Sequence, residues 1–138
     1  MRFMMLMIPK GYESAAPGTM PDAKQVEAMM KYNESLQKAG VLLALDGLHP
    51  PSMGARVTFA GGKPKVADGP FAEAKEVVGG YWMIQVASRA EAIEWACRCP
   101  GGDNETIEVR QVQELADFPD AIKKVAERYP EMQPKAKG

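Results

Sequence analysis

Two stretches, "RFMMLMI" (residues 2–8) and "YWMIQVAS" (residues 81–88), are apolar on both of the faces that an extended chain presents. Side chains alternate across a strand, so such runs belong to a sheet that is covered on both sides. In the second run Trp82, Ile84 and Val86 share one face, and Tyr81 and Met83 share the other. Helices packed on a single layer would cover only one of these sets. The other set would remain as a large apolar patch in water, which monomeric proteins avoid. A homodimer whose two sheets face each other removes the problem.

The remaining elements fit that layout. Thr19 and Asp22 have the spacing of a helix N-terminal capping box, with Pro21 inside the first turn, and predict a helix to about Ala39. Its core face is expected to include Val26, Met29, Met30 and Leu36, and Gly40 stops it. "VLLALDGLHPPS" reads as a second strand running into a turn at Pro50 and Pro51, and "ARVTFAGGKPKVAD" as a hairpin turning at Gly61-Gly62. Ser88 and Glu91 start a second helix that stops before Pro100, "TIEVRQVQEL" is the last strand, and Asp117 is expected to cap a final helix. The order is β-α-β, a hairpin insertion, then β-α-β and a helix. It predicts an α+β fold, a ferredoxin-like sandwich with a β-hairpin insertion, forming a dimeric α+β barrel. Residues 1–128 form one domain and residues 129–138 a flexible C-terminal tail without periodicity.

Composition removes several functional classes. A net charge of −1 with no run of Lys and Arg before the C-terminal tail argues against direct nucleic-acid binding. The apolar N-terminal run is too short to cross a bilayer and lacks a signal-peptide cleavage pattern, so a cytoplasmic protein without membrane contact is expected. One histidine and two cysteines do not make the ligand spacings of a zinc site, and no metal or cofactor is expected. Cys97 and Cys99 stand two apart on a predicted helix, a spacing that points their side chains away from each other. The ten methionines and both tryptophans read as core.

One segment reads unlike the rest. "DGPFAEAKE" (residues 68–76) combines turn residues with an aromatic and an alternation of charges. It resembles the signature of the DGPF group within the YCII-related family, Asp-Gly-Pro-Phe-Ala-Glu-Thr-Lys-Glu, with Ala74 as the one departure. "GLHPPSMGARVTFAGGKPKV", "GGYWMIQVASRAEAIEWACRCP" and "IEVRQV" are similar to the same group, and the resemblance extends over about residues 1–118. It implies a ferredoxin-like dimeric barrel. In the wider family a His–Asp pair implies enzymatic activity, and one member of that wider group acts in chloroaromatic breakdown. There the histidine lies in the first helix, and here residues 20–39 contain none. The pair therefore does not carry over, although Asp68 is the position that corresponds to its acidic member. DGPF domains also occur fused or adjacent to extracytoplasmic-function sigma factors, which implies a role linked to transcription.

Read as chemistry, Asp68-Gly69-Pro70 is turn material, with Gly69 supplying a positive φ. Residues 71–76 exceed the needs of a turn. Phe71 is an apolar anchor, and Glu73, Lys75 and Glu76 set two carboxylates around an ammonium. Over a pocket mouth, Asp68 or Glu76 would serve as a general base and Lys75 would stabilise an anion. The alternative is a structural lock with inert charges. His49, beside Pro50 and Pro51, is either a hydrogen-bonded structural group or a partner for Asp68 across the hairpin. Arg56 and Arg110 are candidate anion clamps, or else ion pairs with Glu76 and Glu108. The sequence predicts a homodimer binding an unidentified small organic molecule near this loop, with acid–base chemistry open. The alternative is a non-catalytic regulatory or interaction module working beside a sigma factor.

Overall fold

A computed structural model describes residues 1–133. Nine regular elements follow one another: β1 (Arg2–Ile8), α1 (Ala23–Lys38), β2 (Leu42–Gly47), β3 (Ala55–Ala60), β4 (Lys63–Asp68), β5 (Gly80–Gln85), α2 (Arg89–Cys97), β6 (Thr106–Gln111) and α3 (Asp120–Glu127). Four strands make an antiparallel sheet in the order β2-β5-β1-β6, and β3 and β4 pair only with each other. Each crossover through α1 or α2 skips one strand, so the β1-α1-β2 and β5-α2-β6 units interlock. The fold is α+β.

The core lies between the sheet and the two crossover helices. Phe3 and Met5 from β1, Trp82 and Ile84 from β5, and Val86 meet Tyr32 and Leu36 of α1 and Ala92 and Trp95 of α2. Ile107 and Val109 of β6 join the same layer, as their alternation predicts. Both tryptophans are buried, but five methionines (Met1, Met20, Met30, Met53 and Met132) are exposed, so the reading of all ten as core is wrong. In α1 the buried face runs through Met29, Tyr32 and Leu36, while Val26 and Met30 are exposed. Tyr32 belongs in the core because its hydroxyl donates to the Trp95 carbonyl (2.8 Å), satisfying the one polar atom that burial would penalise.

Three helix starts show local chemistry at work. Asp22, not Thr19, caps α1: it accepts from Gln25 N–H (2.8 Å), and Gln25 reaches back to the Asp22 N–H. Thr19 instead donates to the Ala16 carbonyl (2.6 Å), so Pro21 precedes the helix rather than opening it. Ser88 caps α2 through the Glu91 N–H, while the Glu91 carboxylate accepts from Ala87. Asp117 does not cap α3, because it is spent accepting from the Glu114 N–H (2.8 Å) to close a 3-10 turn at Leu115–Asp117. Phe118 is held extended ahead of Pro119, so the helix begins only afterwards. Of the expected tail, Pro130–Met132 forms another 3-10 turn, and residues 134–138 lie outside the described residues.

Everything from Leu48 to Gly79 hangs from one end of the sheet. Leu48 N–H donates to the Gly79 carbonyl (2.9 Å), and Gly79 N–H to the Met7 carbonyl (2.8 Å). Tyr12 caps this root by donating to the Leu48 carbonyl (2.5 Å). The hairpin turns at Gly61 and Gly62, both at positive φ, as the two-residue turn requires. Every residue of β3 and β4 is exposed.

Candidate functional site

The segment from Asp68 to Gly80 separates into two parts. One part is fixed by packing. A Cβ on Gly69 would stand 1.7 Å from the Pro51 carbonyl oxygen, so the backbones of residues 69 and 51 touch where only glycine fits. Gly69 is therefore required by close approach, and the positive φ expected of it is not present. Its N–H donates to the Gly54 carbonyl (2.9 Å), closing the base of the hairpin. Phe71 lies under Arg56, whose guanidinium carbon is 4.1 Å from the ring centroid, and Val77 is buried. Such stacking contributes roughly 0.5–1 kcal/mol at an exposed site. Arg56 is thus held by an aromatic ring rather than by Glu76 or Glu108.

The other part is charged and open. Asp68, Glu73, Lys75 and Glu76 are exposed, and among the described residues none of their side chains has a hydrogen-bond or salt-bridge partner. His49 is likewise exposed and unpaired, next to the fully buried Pro50. The Gly69–Pro51 contact does bring the segments carrying Asp68 and His49 together. Arg110 pairs with Glu108 (3.2 Å), the internal ion pair that its position on β6 allowed.

A second region gains interest from the register. The sheet face away from α1 and α2 reads in rows. One row is Ala44, Met83, Met4 and Arg110, and the next is Asp46, Tyr81, Leu6 and Glu108. The two central strands thus supply an apolar middle, with Met4, Leu6, Tyr81 and Met83 half-buried, while charges occupy the two edges. Tyr81 donates to Asp46 (2.6 Å), which raises the phenol pKa because the bond favours its protonated form. Arg2, on this same face, holds Glu114 by two hydrogen bonds (2.7 and 3.1 Å), and the pair keeps the Glu114 carboxyl below the usual carboxylate range. Sequence reasoning finds the exposed apolar set here, Tyr81 included, but misses Asp46 and its pairing with Tyr81, which depends on which residues two strands bring opposite each other.

Two surface grooves lie elsewhere on the molecule. One, of about 490 Å³, runs between α2 and β6 over Ile93, Ala96, Ile107 and Val109, with Arg89 and Glu105 on its lining. The other, of about 450 Å³, lies between α3 and Arg2. Neither is lined by a residue of the Asp68–Glu76 segment. Cys99, in the first groove, has its thiol pushed up to about 11 by burial. Among the described residues no group of three or more His, Cys, Asp or Glu side chains is placed to hold a metal ion, and no helix is long and apolar enough to cross a membrane.

The sequence profile of the YCII-related domain matches residues 1–116. An uncharacterised protein of Rhizobium meliloti (strain 1021) is 39% identical over 59 residues, which are 43% of this chain and 48% of that protein. The chain thus spans about half the length of this curated relative.

Proposed function

The chain belongs to the YCII-related domain family, and on that premise we propose that it works as a homodimer binding a small organic molecule between two apposed sheet faces. In this reading the subunit is a ferredoxin-like sandwich, and two of them form a dimeric α+β barrel. The observation that carries it is the face built from Met4, Leu6, Tyr81 and Met83, apolar at its centre and charged along both edges. The two crossover helices, α1 and α2, pack on the opposite face. A mostly apolar floor with a few fixed polar groups is what small-molecule sites use, the polar groups setting orientation. Tyr81 and Asp46 at one edge, and Arg110 and Glu108 at the other, would supply that orientation.

The DGPF segment, as part of the insertion rooted beside Gly80, stands at one end of this space. Gly69, Phe71 and Val77 lock the loop, leaving Asp68, Glu73, Lys75 and Glu76 free to meet a ligand at the mouth. Asp68 or Glu76 would be the acid or base of any proton transfer there. Native mass spectrometry of the purified protein tests both halves of the proposal. A dimer carrying a small bound molecule is expected, and a monomer at micromolar concentration would end it. Replacing Leu6 with Arg should dissociate the dimer while leaving the fold intact. Asp68→Asn with Glu76→Gln should keep the dimer and release the bound molecule. Loss of folding in that double variant would assign the carboxylates to the lock instead.

A further inference from the structure

Two elements carry apolar faces that stay largely exposed among the described residues, and they sit at opposite ends of the sheet. In the hairpin, cross-strand partners Val57 and Val66, and Phe59 and Pro64, form one continuous apolar face. Phe59 is 76% exposed and Val66 70%. The opposite face bears Arg56, Thr58, Lys63 and Lys65, and it is this face that meets the DGPF loop through Arg56 and Phe71. A two-stranded hairpin is marginal by itself in water, so a uniformly apolar face on it calls for a partner. The second element is α3. Its segment places Phe118, Ile122, Val125 and Tyr129 along one side at helical spacing, yet no residue of the helix is buried. An eight-residue helix does not persist on propensity alone, and its stability has to come from packing.

Their locations are set by the register. The insertion hangs where Met7, Gly80 and Gly47 lie side by side. Strand β6 ends at Gln111, opposite Phe3, so α3 departs from the other end. The Arg2–Glu114 pair holds the lead-in to α3 on the helix-free side of the sheet.

We propose that in the dimer the hairpin of each copy seats its Val57–Phe59–Val66 face in the groove between α3 and Arg2 of the other copy. The inference rests on the face-to-face dimer proposed above. A two-fold axis between stacked sheets can run along the strands, which joins like ends, or across them, which joins opposite ends. Only the second arrangement brings a hairpin to an α3, and two-fold symmetry then makes the contact twice. The groove has the complementary lining, namely Leu115, Phe118, Ile122, Tyr129 and Met132 with Arg2 at its side, and a volume of about 450 Å³. Charge agrees in sign. Hairpin residues 55–68 carry Arg56, Lys63 and Lys65 against Asp68, a net of +2. Residues 115–131 carry Asp117, Asp120, Glu127 and Glu131 against Lys123, Lys124 and Arg128, a net of −1. Arg56, Lys63 and Lys65 stand on the hairpin face turned away from the apolar one, so these opposite net charges steer the encounter at long range while the apolar face sets the register.

The test uses two full-length variants, Phe59→Cys and Ile122→Cys, each in a Cys97→Ser, Cys99→Ser background, so that the introduced thiol is the only one present. The two are mixed, allowed to exchange subunits, and treated with a short bismaleimide. A cross-link joining residue 59 of one copy to residue 122 of the other is expected. Cross-links from 59 to 59 or from 122 to 122 would show like ends together and overturn the proposal. A dimer that forms none of these links would overturn it too, while leaving the face-to-face dimer standing. A monomer would remove the dimer reading itself. As an independent measure, Phe59→Asp should raise the dimer dissociation constant by at least about 30-fold, the effect of losing one aromatic anchor, and toward about 900-fold because the symmetric dimer loses two. An unchanged constant counts against the proposal.

Discussion

The sheet with its two crossover helices and the hairpin inserted into it are built to different rules. In the first, apolar side chains face inward and close on one another: Met5, Leu36, Ile84 and Ala92 expose nothing. In the second, the apolar face is as regular as any in the core, but it looks into solvent. The difference teaches where each region obtains its stability. The helix-covered layer of the body is satisfied by its own chain, and the hairpin by its connections at the base and by whatever it meets.

Deleting core volume should separate the two most sharply. Leu36→Ala and Ile84→Ala are expected to lower stability by about 2–5 kcal/mol each, read from urea unfolding. Phe59→Ala, measured at dilutions where the protein is monomeric, should stay within about 0.5 kcal/mol of the parent. A large loss at Phe59 in the monomer would break the distinction. Next in size is Gly69→Ala at the joint between the regions. Its methyl group would collide with the Pro51 carbonyl, and a cost of about 1–3 kcal/mol is expected. Heteronuclear NMR shifts should change along residues 49–77 and leave β1 and α2 largely as they were.

A smaller effect probes the lead-in to α3. Arg2 holds Glu114 below its ordinary pKa, so the pair adds stability that is complete above the unfolded carboxyl value of about 4.3. This contribution fades as pH falls through the lower folded value. Glu114→Gln should therefore cost about 0.5–1 kcal/mol at pH 7, and the gap to the parent should close in paired denaturation curves as pH falls below the lowered folded pKa. The smallest test is chemical. Iodoacetamide at pH 8 should modify the exposed Cys97 and spare Cys99, whose raised pKa keeps the thiol protonated. Mass spectrometry before and after unfolding would count one label and then two.

Much of the body is legible in the sequence because its signals are periodic. The alternation in Ile107 and Val109, the Gly61-Gly62 turn and the Ser88 cap are all local patterns, and each folds as read. The features that escape depend on partners distant along the chain. Tyr32 looks like a surface residue until the Trp95 carbonyl arrives to accept its proton. Gly69 looks like a turn glycine until Pro51 is seen against it. Of the candidate site, the unusual loop and its charges are visible in the sequence, but the residues that fasten it are not told apart from those left in solvent. Phe71 needs Arg56, which comes from a different strand. The start of α3 differs from expectation for a local reason, since Pro119 delays the helix beyond Asp117.

The hydrogen bond from Gly69 to Gly54 also bears on how the chain can change. Because it holds the two ends of the hairpin 2.9 Å apart, donor to acceptor, residues 55–68 can be exchanged or removed with both cut points already side by side. A shorter connection there also costs less to close, since closure entropy grows with the logarithm of length. The hairpin is in this sense a cassette. A lineage, or an engineer, can swap it to change what its apolar face meets without rebuilding the sheet that carries it.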